Sequence, residues 1–426
     1  MPTALSTAAT RPNASREARN TDQRATLCPC SAERRLLRSQ GHYDEAYELD
    51  GDVLQRQQSS PTLGPTHPHT LITAGNLAAD LRAKGRFREA LALDRRTYEQ
   101  AATPWGEDHP RTLMVAHNLA LDYRLTGDWG SAYRYDEQTL ERRRASPELG
   151  ENHPYTLFSE ANVARDLREA GRFDESVAIL RDVYRRYLEV LGDQILDTLR
   201  TAKSLARSLR RAGLREEALA LAEETYARYQ RYFPTSPDAL PADLEVAACM
   251  AEMGDLVGGR DRTRAALATH RAQMGDDHPY TVMIESNLGY HLRRTGDLDE
   301  ACDLTAGAVA ALGRLLGHEH PFVPLAAGNH ANCLGDARRY EEAEATERDA
   351  LARLSQVLGD EHPDTHTCRS NLSITLEGMG RVSEAGELRE RAVTGLLVLA
   401  ERHPHPLIAE ARDGVRVDRD LELQPL

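Results

Sequence analysis

One phrase recurs along this chain at a nearly constant interval and limits what the chain can fold into. It reads Leu358-Gly359-Asp360-Glu361-His362-Pro363-Asp364-Thr365, and it returns as Gly106-Glu107-Asp108-His109-Pro110-Arg111-Thr112 and Leu149-Gly150-Glu151-Asn152-His153-Pro154-Tyr155-Thr156. His-Pro pairs stand at 67, 109, 153, 278, 320, 362 and 403, at intervals of 42, 44, 125, 42, 42 and 41 residues. Two worn copies fill the long interval: Leu191-Gly192-Asp193 with Ile195-Leu196, and Ser236-Pro237. A fixed period of this size is the mark of a solenoid, in which each unit buries its apolar faces only against its neighbours.

The period overrides the two or three domains that 426 residues would otherwise suggest. A net charge of −14 argues against a general nucleic-acid binder, which carries a basic footprint. No apolar run approaches the roughly 18 residues of a membrane span. Six cysteines, at 28, 30, 249, 302, 333 and 368, show neither zinc-ligand spacing nor a disulfide framework, which predicts a reducing, cytoplasmic setting. Cys28-Pro29-Cys30 reads as two thiols in an N-terminal segment with no further ligands nearby.

Residues 1–30 are rich in Ser, Thr, Ala, Arg and Asn without helical periodicity, and are expected to form a disordered leader. Residues 31–66 read as a partial repeat entered at its turn and second helix, 67–402 as the array, and 403–426 as a half-repeat cap and tail. The chain thus reads as if something normally preceded it. The second unit shows the local logic. Pro110 suits the first helical position, where a missing N–H costs nothing, with His109 or Asp108 as the cap. Leu113, Ala116, Leu119, Ala120 and Tyr123 share one face of helix A, and Gly127 ends it. Helix B starts near Trp129 and places Ala132 where the two helices approach closely. The turn glycine recurs at 85, 171, 213, 254, 296 and 380, with Arg338 replacing it once. The small residue recurs as Ala90, Ser176, Ala218, Gly259, Ala301, Ala343 and Ala385. Eight helix pairs between about 68 and 400 follow. The fifth, crowded by Pro234, Pro237 and Pro241 and carrying Gly258-Gly259, reads as the weak joint.

These residues carry a resemblance. Asn76-Leu77-Ala78 and Asn118-Leu119-Ala120, the turn Gly, the aromatic two later (Phe87, Trp129, Phe173) and the helix-B Ala resemble the tetratricopeptide repeat. The 42-residue period with Leu-Gly-x-x-His-Pro-x-Thr is similar to the long-helix variety of kinesin light chains. The resemblance implies an all-α right-handed superhelical solenoid of about eight helix-turn-helix repeats. A narrower resemblance rests on the stretch 76–82, on Glu48-Leu49-Asp50 and on Val417-Asp418-Arg419-Asp420-Leu421-Glu422. These residues resemble the repeat component of FxSxx-COOH ribosomal-peptide gene clusters. Members of that family carry an N-terminal nucleotide-binding region. No Gly-x-x-x-x-Gly-Lys-[Ser/Thr] phosphate loop occurs here, so the alternative function is a sensor or regulatory array of a signal-transduction NTPase whose nucleotide-binding part is absent.

No nucleophile elbow, zinc-protease helix or dinucleotide glycine motif is present, so the expectation is no enzyme, no metal and no cofactor. The His-Pro histidines sit one per unit, held apart by packed helices, and read as helix caps rather than ligands. Acid pairs such as Glu216-Glu217 and Glu341-Glu342 open B helices, where they suit the helix dipole. The informative surface is the other side of helix A. There the fourth unit carries Arg200, Lys203, Ser204, Arg207, Arg210 and Arg211. The third carries Phe158, Ala161, Asn162, Arg165, Arg168 and Glu169, the second Met114, His117, Asn118, Leu121 and Arg124, and the sixth Asn287, Tyr290, Arg293 and Arg294. Asn recurs in this stripe at 76, 118, 162, 287, 329 and 371, while the last two units offer Asp336 and Glu377 in place of the basic residues. The basic stripe can be a solvated face, or it can pair with acids of its own repeat. In proteins this chain resembles, it lines a concave groove that holds extended peptides. The expected function is a non-enzymatic scaffold for a protein or peptide partner. An acidic segment or a C-terminal carboxylate is expected across Asn162, Arg165, Arg168, Lys203, Arg207 and Arg210. Neither nucleic acid nor membrane is an expected partner.

Overall fold

The structure is a computed structural model and describes residues 37, 42–400 and 403–424. The leader and Cys28-Pro29-Cys30 lie outside the described residues. The regular structure described is helical throughout. It begins with α1 (Tyr43–Ser59), α2 (Pro68–Ala83), α3 (Phe87–Trp105), α4 (Pro110–Leu125), α5 (Trp129–Ala145) and α6 (Pro154–Glu169). It continues with α7 (Phe173–Leu191), α8 (Leu196–Arg211), α9 (Arg215–Tyr232), α10 (Ala239–Glu252), α11 (Leu256–Met274) and α12 (Pro279–Thr295). It closes with α13 (Leu298–Leu316), α14 (Phe322–Asp336), α15 (Tyr340–Val357), α16 (Pro363–Gly378), α17 (Val382–Leu396) and α18 (Pro406–Arg412). From α2 to α17 the even-numbered helices are helix A and the odd-numbered ones helix B of eight successive pairs. The pairs form a right-handed superhelical solenoid.

The recurrent phrase explains each unit's entry. The His Nδ1 accepts the N–H two residues on, as His109 does from Arg111 at 3.1 Å and His362 from Asp364 at 3.1 Å. Pro follows at the first helical position. The Gly sits at positive φ, +90° at Gly106 and +94° at Gly359, and its carbonyl accepts the Thr hydroxyl six residues on, at 2.7 Å from Thr112 and 2.9 Å from Thr365. In the fourth unit, where the His-Pro is worn away, Thr198 still bonds Gly192 at 2.9 Å, but Ile195 supplies no side-chain cap. Helix A ends in a left-handed glycine: Gly127 has φ +87°, its N–H reaches Arg124 O and the next N–H reaches Tyr123 O. Arg338 holds the same position at φ +60°, the one non-glycine residue with positive φ among those described. The small residues of helix B are all buried, and a Cβ added at Gly259 would stand 2.7 Å from Ala247 O. The last helix is opened by His405-Pro406 and not by His403-Pro404: His405 Nδ1 caps Leu407 N–H, while His403 bonds the carbonyl of Ala212.

The solenoid winds back upon itself, so that unit n+5 touches unit n. His278, His320, His362 and His405 each use the second ring nitrogen, Nε2, on a carbonyl of an earlier turn: Ala83, Leu125, Glu169 and Arg211, at 3.2, 3.2, 2.9 and 3.0 Å. The proline beside each histidine fills the space over a turn glycine. A Cβ at Gly85, Gly127, Gly171 or Gly213 would fall within 2.5 Å of the Cδ of Pro279, Pro321, Pro363 or Pro406. The glycine that ends helix A therefore does two things: it supplies positive φ, and it leaves room for the next superhelical turn. Winding also buries helix A on nearly all sides. In α4, Leu113 and Leu119 face helix B, while His117, Leu121 and Arg124 on the opposite stripe are buried too. Among the described residues no helix is long and apolar enough to cross a membrane.

Candidate functional site

The inner wall of the superhelix is built from the Asn-bearing stripe of the A helices, and its second half holds a segment of the same chain. After Gly414 the backbone leaves helical structure, and residues 415–424 run extended down the axis from α16 toward α12. Three asparagines grip it at every second residue, each through both of its amide groups. Asn371 donates to Val417 O (2.8 Å) and accepts Val417 N–H (3.0 Å). Asn329 donates to Arg419 O (2.7 Å) and accepts its N–H (2.9 Å). Asn287 does the same for Leu421, at 3.0 and 2.7 Å. The spacing follows from geometry. An extended chain presents the same backbone edge every second residue, and the solenoid presents one Asn per unit. Two residues of strand therefore match one repeat of wall.

The same alternation sorts the side chains. Leu421 and Leu423 enter the apolar core with Leu244, Ile284 and Leu288. Asp418, Asp420 and Glu422 face basic residues. Arg293 reaches Asp418 at 2.5 Å, Arg210 reaches Asp420 at 2.9 Å, and Arg168 reaches Glu422 at 2.5 Å with Arg207 at 3.3 Å. Tyr280 donates to the carbonyl of Gln424 at 2.8 Å. Burial opposes charge on Asp420 and Glu422. Even so, Arg210, Arg207 and Arg419 around the first, and Arg168, Arg207 and Arg165 around the second, hold both carboxyls well below the ordinary range. The strand enters this site with the opposite sign: Arg416 pairs with Asp336 at 3.2 Å and Glu347 at 3.0 Å, on helix A and helix B of the seventh unit.

The candidate residues thus fall into three groups. Asn287, Arg168, Arg207, Arg210 and Arg293 touch the strand directly. Arg200 and Lys203 turn to Asp238, at 2.8 and 3.1 Å, and hold its carboxyl down to about 2 against the burial that would raise it. Arg211 pairs with Asp364 at 2.7 Å, and Arg294 donates to Ala251 O at 3.0 Å. Glu245, which replaces Asn in the fifth unit, bridges Arg207 and Arg210 from below. The basic stripe is therefore neither solvated nor open: most of it is buried and paired within the chain, which is why an acidic protein can concentrate it on one wall.

The third group, Asn76, Asn118, Asn162 and Arg165, lines a separate cavity of about 500 Å³ on the first four units. Its wall is largely apolar, with Leu71, Ile72, Met114, Leu121 and Phe158. Asn162 is turned inward, donating to Phe158 O and accepting from Arg165 Nη1 at 3.1 Å.

The repeat histidines have both nitrogens committed to the backbone in the later units, and burial lowers their pKa, to about 4 for His278, His320 and His405. They close superhelical turns. Cys249, Cys302, Cys333 and Cys368 are buried free thiols, and burial raises the pKa of each. The strand is the segment that the periodic reading passed over as a tail. Its signal was the period-two run Val417-Asp418-Arg419-Asp420-Leu421-Glu422-Leu423, set against a ladder of asparagines already visible.

Comparison with known proteins bears on the repeat architecture. The tetratricopeptide repeat family model matches residues 35–103, 76–145, 112–189, 155–231, 280–356 and 322–396. It passes over the proline-crowded fifth unit. No curated protein matches the chain. Among solved structures, a Rap protein complexed with competence and sporulation factor is 12% identical and superposes with a TM-score of 0.62, covering 89% of this chain and 99% of that one. The Rap conjugation gene regulator of plasmid pLS20, in complex with the Phr* peptide, is 13% identical with a TM-score of 0.54, covering 87% and 98%. A putative kinesin light chain repeat protein of Podosopora anserina is 27% identical with a TM-score of 0.40, covering 50% of this chain and 96% of that one.

Proposed function

Because the chain belongs to the tetratricopeptide repeat family, we propose that it is a non-enzymatic scaffold whose concave groove binds an extended acidic segment of a partner protein. The carrying observation is the chain's own strand, held by paired Asn–backbone bonds at Val417, Arg419 and Leu421. Bonds to the main chain fix an extended conformation whatever the side chains are. Acids at alternate positions then select the register against Arg293, Arg210 and Arg168. This division of labour, with backbone bonds for affinity and alternate side chains for specificity, is a general mode of peptide recognition. A partner segment of the same pattern takes the place that residues 415–424 hold in cis. One of the structures that share the fold, the Rap conjugation gene regulator, is in complex with a peptide, which supports the reading.

The test introduces a protease site between Gly414 and Val415, where the backbone turns and Val415 is exposed. The chain folds intact and is then cut. A fluorescent peptide with the sequence of 415–424 should exchange into the cut protein and not into the uncut one. Reversing Asp420 and Glu422 to Lys in that peptide should abolish exchange, while amidating its C-terminus should leave exchange unchanged. A cut protein that never releases its strand, or that takes the reversed peptide equally well, would refute the reading.

A further inference from the structure

The cavity on the first four units contains a buried cation with no anion. Arg165 retains 8% of its accessible surface, and no carboxylate of the described residues lies within ion-pair distance of it. Its one hydrogen bond goes to Asn162, and its Nε has no partner. The nearest acids are committed elsewhere: Glu422 to Arg168 and Arg207, Asp166 to Arg124 at 2.7 Å. Burial and the neighbouring Arg124 push the Arg165 guanidinium down to about 10, and Glu422 and Asp166 offset that only in part and without a direct ion pair. On the same wall Asn118 has no hydrogen-bond partner among the described residues. Around both lie Leu71, Met114, Leu121 and Phe158, enclosing about 500 Å³. Small-molecule sites typically enclose about 300–1,000 Å³, with apolar walls and a few convergent polar groups.

We propose that this cavity is a binding site for a small monocarboxylate with an apolar body, whose carboxylate pairs with Arg165 and whose hydrocarbon rests on Phe158, Met114 and Leu121. One anionic charge matches the one buried cation of the cavity that lacks an ion pair among the described residues; Arg111, which also lines it, is exposed and lies over the Trp105 ring at 5.9 Å. Arg82, Arg124, Arg200 and Lys203, which also reach the cavity, are each neutralised by aspartates of the chain. A carboxylate oxygen accepts from Nη2 of the guanidinium, a charge-assisted bond. Asn118 offers a further donor at the rim. Arg165 makes no direct bond to the strand and meets it only through the longer-range field at Glu422, so the site stands apart from the groove reading, and either can fail alone.

The probes are octanoate and 4-phenylbutyrate, each paired with its neutral carboxamide and titrated calorimetrically into the full chain. A chain ending at Gln424 is titrated in parallel, so that residues 425 and 426, outside the described region, cannot mask the cavity. The expected result is that at least one acid binds at least tenfold more tightly than its amide in one or both chains. Arg165→Met should erase that preference with the helical content unchanged, since it removes an unpaired buried charge. Met114→Trp, which fills the cavity and leaves Arg165 in place, should weaken acid and amide alike by tenfold or more. The proposal is overturned if neither acid binds in either chain, if acid and amide bind equally, or if Arg165→Met keeps the preference. It is also overturned if a peptide ending in a leucine carboxylate binds there while both free acids do not.

Discussion

Asn329→Ala isolates one rung of the ladder. The side chain is 1% exposed and makes two bonds to the main chain of Arg419, which is itself buried. Truncation leaves one N–H and one C=O of the strand without partners, at about 1–3 kcal/mol each. A water entering the vacated space would bring the loss toward the lower end. The expected local destabilisation is therefore roughly 2–6 kcal/mol. Each 1.4 kcal/mol is a factor of ten in an equilibrium, so opening of the strand should become at least about 30-fold more frequent. Hydrogen exchange of a peptic fragment covering 415–424 reads this directly, because the amides of Val417, Arg419 and Leu421 are the ones the asparagines protect. Asn118→Ala is the matched control: the same residue type, at the same repeat position, with no strand to hold. It should stay within about 0.5 kcal/mol of the parent. Exchange of 415–424 within threefold of wild type in Asn329→Ala would refute the ladder, as would an equal effect from Asn118→Ala.

Four further outcomes follow from named contacts. His320→Asn keeps an acceptor for the Phe322 N–H but loses the bond to Leu125 O; since the native His320 pKa of about 4 lies below the ordinary 6.5, its contribution is complete above pH 6.5 and is lost as pH falls toward 4. The stability gap between wild type and His320→Asn should therefore shrink by up to about 3 kcal/mol over that window in urea titrations; the difference is read because Asp166 and Glu347, raised by burial to about 7, act in the opposite sense in both proteins. Gly127→Ala should melt well below Gly106→Ala: both residues have positive φ, but only the first would place its Cβ 2.5 Å from Pro321 Cδ, and equal melting points would dismiss the contact between turns. Arg338→Gly should gain about 1 kcal/mol by relieving a left-handed non-glycine residue, read as a raised melting temperature. Lys203→Ala with Arg207→Ala should destabilise the fourth and fifth units rather than merely weaken a ligand, because Asp238 and Glu245 each lose one of two buried partners and keep Arg200 and Arg210, at less than the roughly 3–5 kcal/mol of a fully broken pair; an unchanged melting curve would show those pairs to be dispensable.

The one-dimensional part of this fold was legible because it is written in local rules: a cap, a proline, a left-handed glycine and a small residue where helices meet. Arg338 was visible as an exception for the same reason. The superhelical closure was not, because it joins residues about 195 positions apart, such as His320 and Leu125. Its signal is the same His-Pro pair that already had a sufficient local explanation as a cap. One residue serving two roles hides the second. In the early units His67, His109 and His153 do only the first.

The groove was half legible. The asparagines and the arginines stood out, and pairing with acids of the same repeat stayed open, but the charges were expected to meet a partner in trans. The wall itself carried the information that they do not. Its stripe is basic at Arg168, Arg210 and Arg293 and turns acidic at Asp336 and Glu377. A ligand complementary to it must therefore begin basic at the late units and become acidic toward the early ones. Residues 416–422 read Arg, Val, Asp, Arg, Asp, Leu, Glu, and Arg416 lies on Asp336 while Glu422 lies on Arg168. The reversal of sign sets the direction of the strand as well as its register, since an inverted strand would bring Glu422 to the acidic wall and Arg416 to the basic one. Any partner that takes this groove must satisfy the same gradient: basic at its start, acids at alternate positions after it, and apolar residues between them to enter the core that Leu421 and Leu423 now fill.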